Sequence, residues 1–448
     1  MIPVLLSLCL LAVLQADAAP QTPPVGRGSV VKGADLELLS TVRRVAEWVE
    51  EMRGEEFDRA PFAIRAPGTI RDVAAEIRAH TVVTRERLEA RGRAWQDLGL
   101  GDGRSPAQLF ETLSRDLAGI GYEAGANRLL VDPDRLSAAS LSGGATPGGE
   151  ASTVLMMTGV EPDEPVAAHM LMHVRQYERR RGDMLASTTD QTLARSAWAE
   201  GEANLLAVRM LFAGMGLADD ILVAGLDPLD LLGGSLFPPD LAGLGGVAGE
   251  LVRFVYLEGY SEASRRFRVG GWAEVDAGIR RADTTRDLLH PQAAPLQPPT
   301  FATPPAPGAG ALSLADEDSL GEQAILVLLA RWTGKDNLGL QAADGWAGDR
   351  VYRWEAGAAE GDGVTQWITR WQSEQDAADF DYALGRALGR RFPQAKASPA
   401  GPGARSLTAG ERVFRVERSA SEVQLWVLTP EWDARLVESK AVAPQGDR

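Results

Sequence analysis

Cysteine is all but missing from this 448-residue chain, and the one present, Cys9, lies near the N-terminus inside an apolar run at residues 4–14. A lipidated cysteine would end such a run, and more apolar residues follow this one, so a lipoprotein is not expected. If the run is removed on export, the mature chain has no disulfide and no thiolate ligand. Any metal it holds must then be bound by histidine and carboxylate. Histidine is scarce too, with four residues. Net positive charge is lacking: 46 Lys and Arg against 62 Asp and Glu leave a formal charge of −16. A nucleic-acid partner is therefore not expected, because binding phosphates needs a basic surface that releases counterions. The short cluster Arg179-Arg180-Arg181 reads as a solvated helix end. The apolar run at 4–14 is also too short to span a bilayer, so no stable membrane insertion is expected once it is gone.

That run is instead the core of a secretory signal, residues 1–18. Ala16-Asp17-Ala18 supplies the small-x-small cleavage site. Cutting after Ala18 is preferred, because cutting one residue later would leave Pro20 at the first mature position. The expected location is secreted, periplasmic or otherwise extracytoplasmic. A chain this long favours two domains. Residues 19–35, rich in Pro and Gly, read as a flexible leader, and residues 36–290 as a mostly helical first domain. A Pro/Ala-rich linker at 291–314 precedes a small second domain at 315–432, with a disordered tail at 433–448.

The first domain shows helical periodicity at 36–53 and 70–93, and Ser105-Pro106 is a helix start for a segment reaching 118. Gly119-Ile120-Gly121-Tyr122 reads as a turn into a strand at 128–131, and residues 139–152 as a loop. Two long helices are expected from 164 or 165 to about 181 and from about 189 to 214. A third covers about 250–267, followed by Gly270-Gly271-Trp272 and a short helix to 281, while 214–249 resists assignment. In the second domain the pattern reads as a helix at 320–332, strands at 350–355 and 365–371, a helix from 374, and strands at 413–417 and 423–428. The fold class is α+β, with an antiparallel sheet in the second domain.

Two of the four histidines, His169 and His173, stand four apart in a helical segment and so share a face. That is the ligand spacing of the zinc-hydrolase signature His-Glu-x-x-His, whose Glu is the general base. Met170 occupies the base position here. Glu200 comes 27 residues after His173, mid-helix among apolar residues, where an unpartnered carboxylate is costly. His, His and Glu with an open fourth position is a recurring catalytic zinc set. His80 lacks a second ligand at matching spacing and reads as a boundary residue. His290, just before Pro291, reads as a turn residue.

The pattern resembles the gluzincins, metallopeptidases with His-Glu-x-x-His on one helix and a Glu ligand on the next. More closely it is similar to a group of secreted bacterial metallopeptidase homologues. The matching pieces run from Leu117 through Tyr122, the stretch His169 to Gln176, Glu200-Gly201-Glu202-Ala203 and Tyr256-Leu257-Glu258-Gly259. They continue with Gly270-Gly271-Trp272, Leu289-His290-Pro291, Gly345 through Arg350, and Trp371 through Glu374. The resemblance implies a zincin-like first domain, zinc as cofactor, and His169, His173 and Glu200 at the metal-ligand positions. It puts Glu202 beside the ligand rather than in its place. Glu202, Asn204 and Tyr256 are candidates to support the ligands or line the cleft.

The departure at position 170 carries equal weight. A thioether accepts no proton near neutral pH, and losing a positioned base lowers the rate by about 10²–10⁴-fold. The favoured expectation is a catalytically weak or inactive metallopeptidase relative that binds a peptide or protein partner and retains zinc. The alternatives are an active zinc peptidase with a base from elsewhere, and a metal-free scaffold.

Overall fold

A computed structural model of the protein describes residues 36–59, 62–65, 83–100, 120–123, 127–131, 163–180, 186–213, 246–280, 283–294, 296–297, 299–307, 311–334, 337–356, 363–400 and 403–442. The chain is mixed α and β, with an antiparallel sheet in its C-terminal region. The signal and leader, His80, the helix expected over 105–118 and the loop at 139–152 lie outside the described residues.

Helix α1 (Leu36–Arg53) turns Val42, Val45, Ala46 and Val49 inward on one stripe. That stripe joins the core made with α3 (Asp163–Arg180) and with β3 (Arg128–Val131). The stretch read as a turn at Gly119–Tyr122 is instead strand β2 (Ile120–Glu123), paired antiparallel with β3. Pairing with the apolar Leu129-Leu130 strand outweighs the local preference of Gly121 for a turn. Strand β1 (Phe62–Arg65) runs parallel to β3 on its other side, giving the order β1-β3-β2.

Helix α4 (Thr189–Ala213) is buried along nearly its whole length, enclosed by α3 and by α5 (Gly246–Ile279). Two glycines allow that crossing. A Cβ built on Gly201 would overlap the carbonyl of Gly259, and one on Gly259 would overlap the carbonyl of Ala197. The backbones of α4 and α5 therefore touch beside Glu200. Helix α5 breaks at Gly271, whose φ of 65° suits glycine, and the break stacks Trp272 edge-on against Phe267.

Helix α2 (Arg85–Leu98) starts at Arg85, where extended Thr84 caps it by accepting from the Arg87 N–H; the earlier part of the helix expected over 70–93, residues 70–82, lies outside the described residues. It packs on the C-terminal sheet. Trp95 and Leu98 share a core with α7 (Gly321–Thr333), α9 (Glu374–Arg391) and the inner face of the seven-stranded sheet β4-β5-β6-β10-β9-β8-β7. The strands are β4 (Ser313–Asp318), β5 (Trp346–Glu355), β6 (Gly363–Trp371), β7 (Lys396–Pro399), β8 (Ala404–Ala409), β9 (Arg412–Ser419) and β10 (Glu422–Leu428), every pair antiparallel. Along β6, Trp367 and Trp371 face this core while Val364 and Ile368 face outward.

Three strands of this sheet exceed the sequence expectation, as does β1 in the smaller one. Strand β4 reads as polar in sequence, yet Asp316 and Asp318 point inward, where Arg91 pairs with them at 2.8 and 3.5 Å and the Thr189 hydroxyl donates to Asp318 at 2.6 Å. Strands β7 and β8 form one edge of the sheet and keep polar, half-exposed residues. Helix α10 (Pro430–Val442) forms where a tail from 433 was expected. Trp432 and Leu436, four apart, bury against the outer sheet face with Tyr352, Trp354 and Trp426. Among the described residues the remaining helices are α6 (Thr285–Leu289) and α8 (Asn337–Ala343). The proline-rich segment before β4 lies along the sheet: Phe301 sits under Arg370, which also donates to the Thr300 carbonyl at 2.9 Å.

Candidate metal centre

The i, i+4 spacing on α3 brings the imidazoles of His169 and His173 onto one face, and α4 brings Glu200 against them. His169 Nε2 and His173 Nε2 are 3.0 Å apart. Glu200 Oε2 is 3.3 Å from the first and Oε1 is 3.4 Å from the second. Three ligands at about 2.0–2.1 Å from a tetrahedral zinc stand about 3.3–3.4 Å from one another. The two His–carboxylate separations match that spacing, each through a different oxygen of Glu200, and the two nitrogens stand somewhat closer; the three residues form one of two His/carboxylate groups of this kind among the described residues.

Burial adds to the fit. Glu200 is fully buried, and neither carboxylate oxygen has a hydrogen bond of good geometry. Burial pushes its carboxyl up, but the two imidazoles beside it outweigh that and bring it down to about 2. Burial also pushes His169 down, against the pull of Glu200. A buried carboxylate facing two imidazole nitrogens, with no donor of its own, is a donor set suited to a divalent cation.

The orientation of His173 is fixed from behind. Its Nδ1–H donates to Gln176 Oε1 at 2.8 Å, which leaves the Nε2 lone pair toward Glu200. The amide of Gln176 is itself set by donating from Nε2 to Glu202 Oε2 and to the Ala199 carbonyl, both at 2.9 Å. Glu202 in turn meets Arg53 at 3.1 Å, and Arg53 also bonds Asp276 and lies 4.2 Å over the Trp272 ring. A chain of polar contacts thus runs from His173 to the kink of α5.

The structure places Glu202 two residues from Glu200 on another face of α4, reaching Gln176 rather than the ligand cluster. Asn204 is buried and interacts with His169 through its side chain. Tyr256 is buried on α5. Met170 is 1% exposed and packs in the apolar cluster with Val45 and Leu171, so the base position faces the core. Gln176 and Arg53 were missed at the sequence level. Gln176, three residues after His173, carries a usable signal in its helical spacing; Arg53, on a distant helix, carries none.

Residues 312–436 match a family described as "Domain of unknown function (DUF8575)". No curated protein matches the chain, and no solved structure does. The match covers the sheet region and leaves out His169, His173 and Glu200.

Proposed function

We propose that the chain is a secreted, zincin-like relative of the gluzincin metallopeptidases that keeps a zinc centre at His169, His173 and Glu200 and has lost the peptidase base. One observation carries this reading: two imidazole Nε2 atoms 3.0 Å apart face the two oxygens of a buried carboxylate at 3.3 and 3.4 Å, and neither oxygen has a hydrogen bond of good geometry. The helix pair bearing the ligands supports it, as does the small mixed sheet whose antiparallel edge strand β2 packs on α3. An ion held there supplies charge stabilisation for a bound carbonyl oxygen. The chain's own residues bind and orient it: His173 through Gln176, Glu200 through the tight α4–α5 crossing.

Proton abstraction has no provider at position 170, because a buried thioether accepts no proton. The role that remains is binding a peptide or protein partner. His169, whose side chain is 12% exposed against none for His173 and Glu200, is the ligand nearest solvent. Among the described residues no helix is long and apolar enough to cross a membrane.

The test is zinc content together with turnover. Full-length protein loaded with zinc should lose one equivalent in His169→Ala, and the native chain should hydrolyse no peptide library. Unchanged zinc content in the variant would remove the centre. Peptide turnover by the native chain that disappears in His169→Ala would overturn the loss of catalysis.

A further inference from the structure

Away from that centre, His290, Glu322 and Asp344 each offer one ligating atom within 4.8 Å of the other two. They come from three elements: His290 caps the end of α6, Glu322 lies in the first turn of α7, and Asp344 stands in the turn between α8 and β5. The turn role expected of His290 captures its backbone and misses its side chain. His290 Nε2 is 2.7 Å from Glu322 Oε1, and the Glu322 side chain is only 3% exposed.

The second carboxylate oxygen is the informative atom. Glu322 Oε2 is buried without a hydrogen bond, and the nearby Arg286 Nε, 4.0 Å away, also lacks one. That separation exceeds hydrogen-bond reach, so the guanidinium supplies charge and no donor. A second carboxylate near a poorly compensated one is unfavourable unless a cation joins them. One imidazole nitrogen with two carboxylates suits a borderline divalent ion such as zinc or manganese. Asp344 is exposed, so the cluster opens to solvent.

We propose that His290, Glu322 and Asp344 form a second divalent-cation site, a clamp between the end of the helical region and the sheet region. It stands independently of the His169 centre. The clamp sits where other polar contacts already join the two regions: the Asp190 backbone N–H donates to the Ser319 carbonyl at 2.9 Å, and Gln323 donates its backbone N–H to the Thr285 hydroxyl at 3.2 Å.

The test uses the full chain, stripped with chelator and titrated with zinc alone, with bound equivalents counted after desalting. Two conservative variants probe the clamp. His290→Gln keeps a donor for Glu322, and Asp344→Asn keeps the oxygen that accepts from the Gly345 N–H at 3.0 Å. The native chain should take up two equivalents, either variant one, and His169→Ala one. The rise in melting temperature on adding zinc should also shrink in Asp344→Asn. Uptake of a single equivalent that His290→Gln and Asp344→Asn leave unchanged would overturn the clamp, as would no uptake at all. A single equivalent lost in Asp344→Asn but kept in His169→Ala would support the clamp and refute the first centre.

Discussion

Gln176→Ala isolates the polar chain behind His173. The native amide holds the His173 Nδ1–H and ties it to Glu202 and the Ala199 carbonyl, with all three contacts between 2.8 and 2.9 Å. Truncation frees the imidazole to rotate or to change tautomer. Removing the partner of a metal-ligating histidine typically weakens metal binding by about 10–100-fold, which is about 1.4–2.7 kcal/mol. The metal-free fold should lose stability as well, by about 1–3 kcal/mol for a buried acceptor left without its donor. The lower end is expected, because Arg53 still meets Glu202 at 3.1 Å. The assay is competition for zinc against a chromophoric chelator, made in an Asp344→Asn background so that only the His169 centre is read. Gln176→Glu provides the contrast. Its carboxylate still accepts from His173, so zinc affinity should recover, yet it faces Glu202 and should lower the urea midpoint further. Affinities of Gln176→Ala within twofold of the parent would refute the positioning role. So would loss of affinity in Gln176→Glu equal to that in Gln176→Ala.

Gly201→Ala should force α4 from α5 and destabilise the chain by about 1–3 kcal/mol or more, because its Cβ overlaps the Gly259 carbonyl; a native urea midpoint would contradict the close crossing. Met170→Glu removes a side chain that is 1% exposed and should lower stability by about 2 kcal/mol or more without creating a peptidase. A stable, hydrolytic Met170→Glu protein would mean that this side chain meets a cleft. Asp190, which accepts from both the N–H and the hydroxyl of Thr285, is pushed by burial up to about 8. The unfolded carboxyl releases its proton near about pH 4, so between that point and about 8 the folded state binds more protons and stability falls as pH rises. Asp190→Asn should flatten that slope in urea titrations across this range, and equal slopes in both proteins would refute the assignment. A protease site engineered after Pro307 should give two fragments that still co-elute, since α2 shares its core with α7, α9 and the sheet; separation without denaturant would refute that shared core.

How much was legible follows from where each signal resides. Helices α1, α3 and α4 carry their apolar stripes in sequence, and their ends were readable from local chemistry. The tight α4–α5 crossing was not, because Gly201 and Gly259 matter only once two backbones meet. Strand β4 was hidden because charge marks a segment as exposed, and here Arg91, distant in sequence, pairs with the inward carboxylates while the Thr189 hydroxyl donates to one of them. Helix α10 had a readable start in Thr429-Pro430, with Trp432 and Leu436 at helical spacing, yet its burial depends on a sheet face assembled from β5, β6 and β10. The grouping of His169, His173 and Glu200 was legible as spacing alone. Gln176 could have been added from its place three residues after His173, whereas Arg53 reaches Glu202 from a helix far earlier in the chain.

Met170 and Glu200 together decide what kind of centre this is. A segment with no use for metal would gain from an apolar residue at position 200, because a buried carboxylate without hydrogen bonds is destabilising. At position 170 the opposite holds: a carboxylate there would be expensive in the apolar cluster around Val45, and methionine fills the space. The chain therefore keeps the polar residue that an ion needs while holding an apolar one where a peptidase needs its base. Gln176, Glu202 and Arg53 extend the same pattern, since orienting a histidine nitrogen toward Glu200 has value when an ion sits between them. Under the function proposed above, ligand geometry without a base suits a centre that holds an ion and a bound partner rather than one that turns a substrate over.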